Sequence, residues 1–199
     1  MVSGVELRAP LLQKVEVLIP TGGHGELPAL TQVDTVYVRP QTSGIDLPAL
    51  LSVRHLDADI GTSNDPFLGF VGLTALQSTE TMTITGVTFA LDDLPDIAVN
   101  ELLTIGALNI EGSLAPSLVA GSLLIQDSYR IELGYLEGIT DIPGDLSFVD
   151  TRTSTLTAWP SLKSVGGDVS LSGNPYLNEQ QIEKWLADVE VNGSVLISE

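Results

Sequence analysis

Cysteine is absent from all 199 residues, which excludes disulfides, thiolate metal ligands and cysteine nucleophiles. Basic side chains are scarce. Eight Lys and Arg stand against 26 Asp and Glu, for a formal charge of −18 at pH 7. Phosphate contacts need clustered cations, so the composition speaks against nucleic-acid binding and against attraction to an anionic membrane surface. No run of about 18 apolar residues occurs, which argues against membrane insertion by a helix. Met1-Val2-Ser3-Gly4-Val5-Glu6 lacks the basic-then-apolar profile of a signal peptide. The expected location is therefore cytoplasmic as written, or cell-surface and extracellular if a leader has been removed.

What is present is a folding composition. Hydrophobic residues make up 43% of the chain and charged ones only 17%, the reverse of an acidic disordered tail. A chain of this length can bury a sizeable core, and a single domain over 1–199 is the simplest organisation.

The text repeats itself. From Leu27, apolar residues fall at relative positions 0, 3, 6, 9 and 11: Leu27, Leu30, Val33, Val36 and Val38. The frame recurs at Leu47, Leu50, Val53, Leu56 and Ala58, then at Leu73, Leu76, Met82 and Ile84 with polar Thr79 in one slot, and at Leu94, Ile97, Leu103 and Ile105. It loosens by one residue in Val119, Leu123 and Ile125; Ile142, Leu146 and Phe148; Val165, Val169 and Leu171; and Val191, Val195 and Ile197 closes the series. Anchors at Leu27, Leu47, Leu73, Leu94, Leu114, Leu136 and Trp159 lie 20, 26, 21, 20, 22 and 23 residues apart. Such a period, with a short alternating strand in each unit, predicts a leucine-rich-repeat or β-solenoid coil. Second short strands are expected at 87–91, 108–110, 130–133 and 155–157 from their own alternation. One helix is written, from Glu179 to about Ala187. Asn178 caps it, Gln181 completes a capping box, and Ile182, Trp185, Leu186 and Val189 form its apolar face.

Over Ser161–Leu177 the chain reads Ser-Leu-Lys-Ser-Val-Gly-Gly-Asp-Val-Ser-Leu-Ser-Gly-Asn-Pro-Tyr-Leu. This resembles the receptor L-domain and irregular leucine-rich-repeat proteins of bacterial surfaces and growth-factor receptor ectodomains. Pro143-Gly144-Asp145-Leu146-Ser147-Phe148 repeats the Gly-Asp-strand part, and Asn64-Asp65-Pro66-Phe67-Leu68 echoes Asn174-Pro175-Tyr176-Leu177. The likeness covers 136–199 most closely and stays in register over 27–135. It implies a right-handed solenoid with a sheet on each face and a role in binding, adhesion or scaffolding. The receptor members carry disulfide-rich neighbours, from which this chain departs.

Candidate chemistry is sparse. His24 lies in Thr21-Gly22-Gly23-His24-Gly25, which lacks the Lys and following helix of a phosphate loop and reads as an inter-coil loop. His55 faces outward, and no Ser or Cys at a known spacing makes a triad with it. The in-register outward positions read as His55 and Asp57, Thr81 and Thr83, Leu102 and Thr104, Ser122 and Leu124, Asp145 and Ser147, Asp168 and Ser170. Asp145 and Asp168 then stack on adjacent coils about 4.8 Å apart. Either they hold a cation between them or each accepts backbone N–H bonds in its own Gly-Asp turn. Asp92, Asp93 and Asp96 read as solvated surface. Threonine alternates at 79, 81, 83 and 85, but the array does not extend to neighbouring coils, so an ice-binding face is not supported. Asn192-Gly193-Ser194 fits a glycosylation sequon and equally a tight turn. Tyr37 is on the outward ladder as a contact residue, whereas Tyr129, Tyr135 and Tyr176 are expected to pack at coil corners.

These readings predict a mostly β, right-handed solenoid of about eight coils with one short C-terminal helix. The expected role is non-enzymatic recognition of a protein or glycan on an exposed face, without catalytic residues, metal or cofactor. The ladder Tyr37, His55, Asp57, Thr81, Thr83, Thr104, Asp145, Ser147, Asp168 and Ser170 would carry it. Two alternatives remain open at this point: self-association through solenoid ends, and a carbohydrate-active enzyme using acidic residues on the outer sheet.

Overall fold

The computed structural model describes residues 7–8, 10–18, 25–38, 45–59, 75–90, 97–111, 121–128, 130–131, 138–152 and 161–198. The strands are β1 (Leu7–Arg8), β2 (Lys14–Leu18), β3 (Gly25–Glu26), β4 (Gln32–Val38), β5 (Ile45–Asp46), β6 (Ser52–Asp59), β7 (Ser78–Ala90) and β8 (Ala98–Glu111). They continue as β9 (Ser122–Gln126), β10 (Arg130–Ile131), β11 (Asp141–Ile142), β12 (Leu146–Val149), β13 (Ser164–Val165), β14 (Val169–Ser172), β15 (Glu190–Val191) and β16 (Val195–Ser198). One helix, α1 (Glu179–Leu186), lies between β14 and β15.

The strands make one ten-stranded sheet and two three-stranded sheets, and every pairing is parallel. The large sheet runs β16-β14-β12-β9-β8-β7-β6-β4-β2, with β10 pairing to β8; the small ones are β1-β3-β5 and β11-β13-β15. At each end the chain therefore places a two-residue strand in a small sheet, then a longer one in the large sheet, and returns one repeat later. That path is a β-solenoid.

Two side-chain columns run through its interior. Leu18, Val36, Leu56, Met82, Leu103, Leu123, Leu146 and Val169 are in register from strand to strand, and so are Val38, Ala58, Ile84, Ile105, Ile125, Phe148 and Leu171. All are buried, and each larger member contributes about 1.5–3 kcal/mol by leaving water. Leu27, Leu30, Leu47 and Leu50 close the core at the corners, where the Leu30 and Leu50 amides donate to the Leu27 and Leu47 carbonyls at 3.1 Å. Up to β14, the described part of the repeating frame is thus the core.

Helix α1 forms where expected. The Asn178 side chain accepts from the Gln181 amide at 2.9 Å and the Gln181 side chain accepts from the Asn178 amide at 3.1 Å, which satisfies two amides that a helix start otherwise leaves bare. Ile182, Trp185 and Val189 are buried, and Leu186 packs against the core. Among the described residues no helix is long and apolar enough to cross a membrane.

Four expectations need correction. Val87–Ala90 and Leu108–Ile110 are not separate strands: β7 and β8 run straight through them in the large sheet, paired from Ser78–Ala98 to Ala90–Glu111. No turn interrupts β7 or β8 at those positions. Val195 and Ile197 occupy the inward columns beside Val169 and Leu171 yet are exposed, because β16 pairs only with β14. Tyr176 is 55% exposed rather than packed at a corner; Leu177 reaches the core instead. Thr104, expected as an outward contact residue, is buried, whereas Thr79 is buried in the inward slot that the frame gave it, off the face of Thr81, Thr83 and Thr85. The anchors Leu73, Leu94, Leu114, Leu136 and Trp159, the loop up to and including His24, the 64–68 echo, Asp92, Asp93, Asp96, Tyr129, Tyr135 and the 155–157 strand lie outside the described residues.

Candidate functional site

The ladder falls in register as read, although Thr104, expected as an outward contact residue, is buried. Tyr37, Asp57, Thr83, Thr104, Leu124, Ser147 and Ser170 form one row, and Thr35, His55, Thr81, Leu102 and Ser122 form the next. The candidate residues divide into two groups along it. Tyr37, His55, Asp57, Thr81, Thr83 and Thr104 lie on β4, β6, β7 and β8. Asp145, Ser147, Asp168 and Ser170 belong to the rungs of β12 and β14.

In the first group the alternation slips by one residue at the same place on three adjacent strands. Val33 and Val36, Val53 and Leu56, and Thr79 and Met82 are buried, yet each pair is separated by two residues rather than one. Both intervening residues consequently face outward: Asp34 and Thr35, Arg54 and His55, Glu80 and Thr81. On β8 the slip widens to Asn100, Glu101 and Leu102 between buried Val99 and Leu103, where the pairing with β7 shifts register. Thr79 fits the inward slot because its hydroxyl donates to the Thr81 carbonyl at 2.8 Å, with the Arg54 carbonyl at 3.1 Å; a buried hydroxyl needs such a partner.

The slip builds a dense polar ridge. Arg54 Nη1 lies 2.7 Å from Asp34 Oδ1 and its Nε 3.4 Å from Glu80 Oε2, so one guanidinium spans three rungs. These side chains are wet, and each pair contributes no more than about 1 kcal/mol to stability. Beside the ridge, His55 Nδ1 is 2.8 Å from Thr81 Oγ1. At the strand starts the ridge borders a groove of about 450 Å³ whose polar lining joins Lys14, Gln32, Ser52 and Ser78 to Asp34, Arg54 and Glu80. The alternation test that located the ladder missed Asp34, Arg54 and Glu80. Their signal was in the sequence, as the three-residue step between apolar positions.

The second group is engaged within the fold. Gly121, Gly144, Gly167 and Gly193 form a column in which the Gly144, Gly167 and Gly193 amides donate to the preceding glycine's carbonyl at 3.1, 2.9 and 3.0 Å. The next residues, Ser122, Asp145, Asp168 and Ser194, form a side-chain ladder. The Asp145 amide donates to Ser122 Oγ at 2.9 Å, the Asp168 amide to Asp145 Oδ1 at 2.8 Å, and the Ser194 amide and hydroxyl to Asp168 Oδ1 at 2.7 and 2.9 Å. The expected backbone N–H bonds therefore exist, but each carboxylate accepts from the following rung rather than its own turn. The Ser194 amide, then its hydroxyl, holds the Asp168 carboxyl below the usual carboxylate range. In the small sheet, Ser164 Oγ and then Thr140 Oγ1 do the same for Asp141. Among the described residues no three His, Asp or Glu side chains are grouped to hold a metal ion.

A third column, unforeseen in the sequence, consists of buried Ser128, Thr151 and Asn174, each two residues beyond its strand. Asn174 Oδ1 accepts from the Thr151 amide at 3.1 Å and from the Thr151 hydroxyl, while its Nδ2 donates to the Phe148 and Ser172 carbonyls at 3.0 and 2.9 Å. Just before each of these residues the backbone turns left-handed, at Asp127 (φ 52), Asp150 (φ 52) and Gly173 (φ 63), a conformation that Gly, Asn and Asp tolerate best.

No protein-family model, curated protein or solved structure matches this chain.

Proposed function

We propose that this protein is a non-enzymatic recognition module that binds a protein or glycan on the outward face of its β4–β8 rungs. The observation that carries this reading is the in-register slip, which brings Asp34, Arg54 and Glu80 together beside a groove. Irregularities that re-aim side chains cluster near functional sites, and charged groups aligned on a rigid solenoid face offer specificity and steering to a partner. The carboxylates Asp145 and Asp168, the candidates for acid–base work, accept backbone N–H bonds instead. The finer architecture belongs to the same proposal: a right-handed, L-domain or leucine-rich-repeat-like solenoid of about eight coils, supported by the 23-residue spacing of Ser128, Thr151 and Asn174.

The test is a binding panel of oligosaccharides and basic peptides run on the wild type, on Arg54→Ala/His55→Ala, and on Ser147→Ala/Ser170→Ala. A ligand lost with the first double variant and kept with the second supports the proposal. Binding that ignores the ridge sinks it. New reducing ends or unsaturated products from a polysaccharide, abolished by Asp145→Asn or Asp168→Asn, would make the protein a carbohydrate-active enzyme instead. A second reading, self-association through the solenoid ends, draws on exposed Val195, Leu196 and Ile197 along β16, since unpaired strand edges recruit other strands. Sedimentation as a clean monomer over a wide concentration range removes it.

A further inference from the structure

We infer that the groove at the starts of β4, β6 and β7 is a subsite for an uncharged, hydroxyl-rich oligosaccharide. This rests on the recognition reading above and narrows it to one face and one ligand class. Protein partners anchor in apolar, aromatic-lined pockets, whereas this groove contains no aromatic side chain and its few apolar members, such as Val33 and Val53, are already buried. Its accessible lining is hydroxyl, amide, carboxylate, guanidinium and ammonium, from Ser52 and Ser78, Gln32, Asp34 and Glu80, Arg54, and Lys14. Those groups offer both donors and acceptors, as recognition of neighbouring sugar hydroxyls requires. A volume near 450 Å³ lies within the range of small-molecule sites.

Charge and spacing narrow the ligand further. A net charge of −18 repels sulfated, phosphorylated or uronate-rich chains. Asp34 and Glu80 each share Arg54, and with Lys14 also in the lining two cations stand against two carboxylates, so the groove carries no net formal charge. Equivalent polar positions recur from strand to strand about every 4.8 Å, a repeat comparable to the length of one sugar ring, so a linear glycan laid across the rungs meets the same kind of group at each unit. The side chains are half-exposed, and binding exchanges water bonds for sugar bonds. The site is accordingly expected to be weak and dependent on several rungs at once.

The experiment titrates the whole chain with neutral gluco-, manno- and galacto-oligosaccharides of two to six units, followed by calorimetry or ligand-observed NMR. The inference expects affinity to rise with length and to be unchanged between low and 0.5 M salt, because no net charge is exchanged. It expects a loss of about tenfold in Arg54→Ala, the scale of one lost charge-assisted hydrogen bond. Glu80→Gln preserves shape and acceptor and should retain most of the binding, with melting curves confirming that both variants fold. Binding confined to lysine-rich peptides, abolished by salt and by Glu80→Gln, overturns the ligand class and leaves the recognition reading standing. Silence from every oligosaccharide and peptide overturns both.

Discussion

The rungs before and after β8 solve the same stacking problem with different chemistry. On the β9–β16 side the chain turns sharply after each four- or five-residue strand, and two polar columns secure the turns: an exposed one of glycine, then Ser or Asp, and at the opposite corner a buried one of Ser128, Thr151 and Asn174. On the β4–β8 side the strands are longer, reaching 13 and 14 residues in β7 and β8. Between β4, β6 and β7 the polar contacts include the exposed bridges of Arg54. Buried, fully partnered polar groups fix geometry and are costly to disturb; wet charges hold little and stay available to a ligand. The contrast leaves one region fastened by partnered polar groups and the other with wet charges, which is where the proposed recognition face lies.

Asn174→Ala tests the architectural side hardest. It strips partners from the Thr151 amide and from Nδ2's two carbonyl acceptors at a buried corner, and should cost about 3 kcal/mol in urea unfolding at neutral pH. A loss below about 1 kcal/mol would show that water takes over the corner and that the column is not structural.

The glycines separate the regions next. At Gly167 an added Cβ would sit 2.0 Å from Asp145 Oδ1 and 3.0 Å from the Gly144 carbonyl carbon, so the rungs must part. At Gly106 on β8 the nearest atoms are side-chain atoms of Gln126 and Thr85 at 3.6 and 3.7 Å, ordinary contact. Gly167→Ala is expected to destabilise by about 2 kcal/mol, whereas Gly106→Ala should be neutral or stabilise by up to about 0.5 kcal/mol, since alanine orders a strand more cheaply than glycine. Equal effects in thermal melts would erase the distinction.

Much of the solenoid was legible because inward positions must be apolar and outward ones need not be. Leu30, Val36, Leu56, Met82, Ile105, Leu146 and Leu171 stood out on that ground alone, and the register derived from them placed His55 against Thr81 and Ser147 against Ser170. The capping box of α1 was equally plain, being local chemistry within four residues. Three-dimensional reciprocity was harder to see. That Asp145 serves the amide of Asp168, 23 residues on, follows from stacking, not from either residue's neighbours. Gly121-Ser122 and Gly193-Ser194 take the same places in the column as the two Gly-Asp pairs, with serine where the others have aspartate. The frame already stepped by three from Val33 to Val36, but only the position next to the second apolar residue was taken as outward, which left out Asp34, Arg54 and Glu80.

Acid distinguishes the two regions with the smallest effect. Asp168 and Asp141 both have carboxyls held below their ordinary value of 3.8, the first mainly by the Ser194 amide and the second mainly by the Ser164 hydroxyl. A folded-state value below the unfolded one means that the unfolded chain takes up protons first. The stabilisation is therefore complete above about pH 4–5 and is lost as pH falls through the lowered folded values. Both groups tie successive rungs together at the β11–β16 end. Amide exchange followed from pH 5 to pH 3 should accordingly show β14 and β16 opening before β6 and β7. Asp168→Asn keeps an acceptor oxygen for the Ser194 amide but cannot titrate, so it should flatten the acid dependence of melting while leaving the fold intact at neutral pH. If Asp168→Asn melts with the wild-type slope between pH 5 and 3, the carboxylate ladder does not set the acid response. If β6 and β7 open first, the fastening of the rungs does not divide at β8.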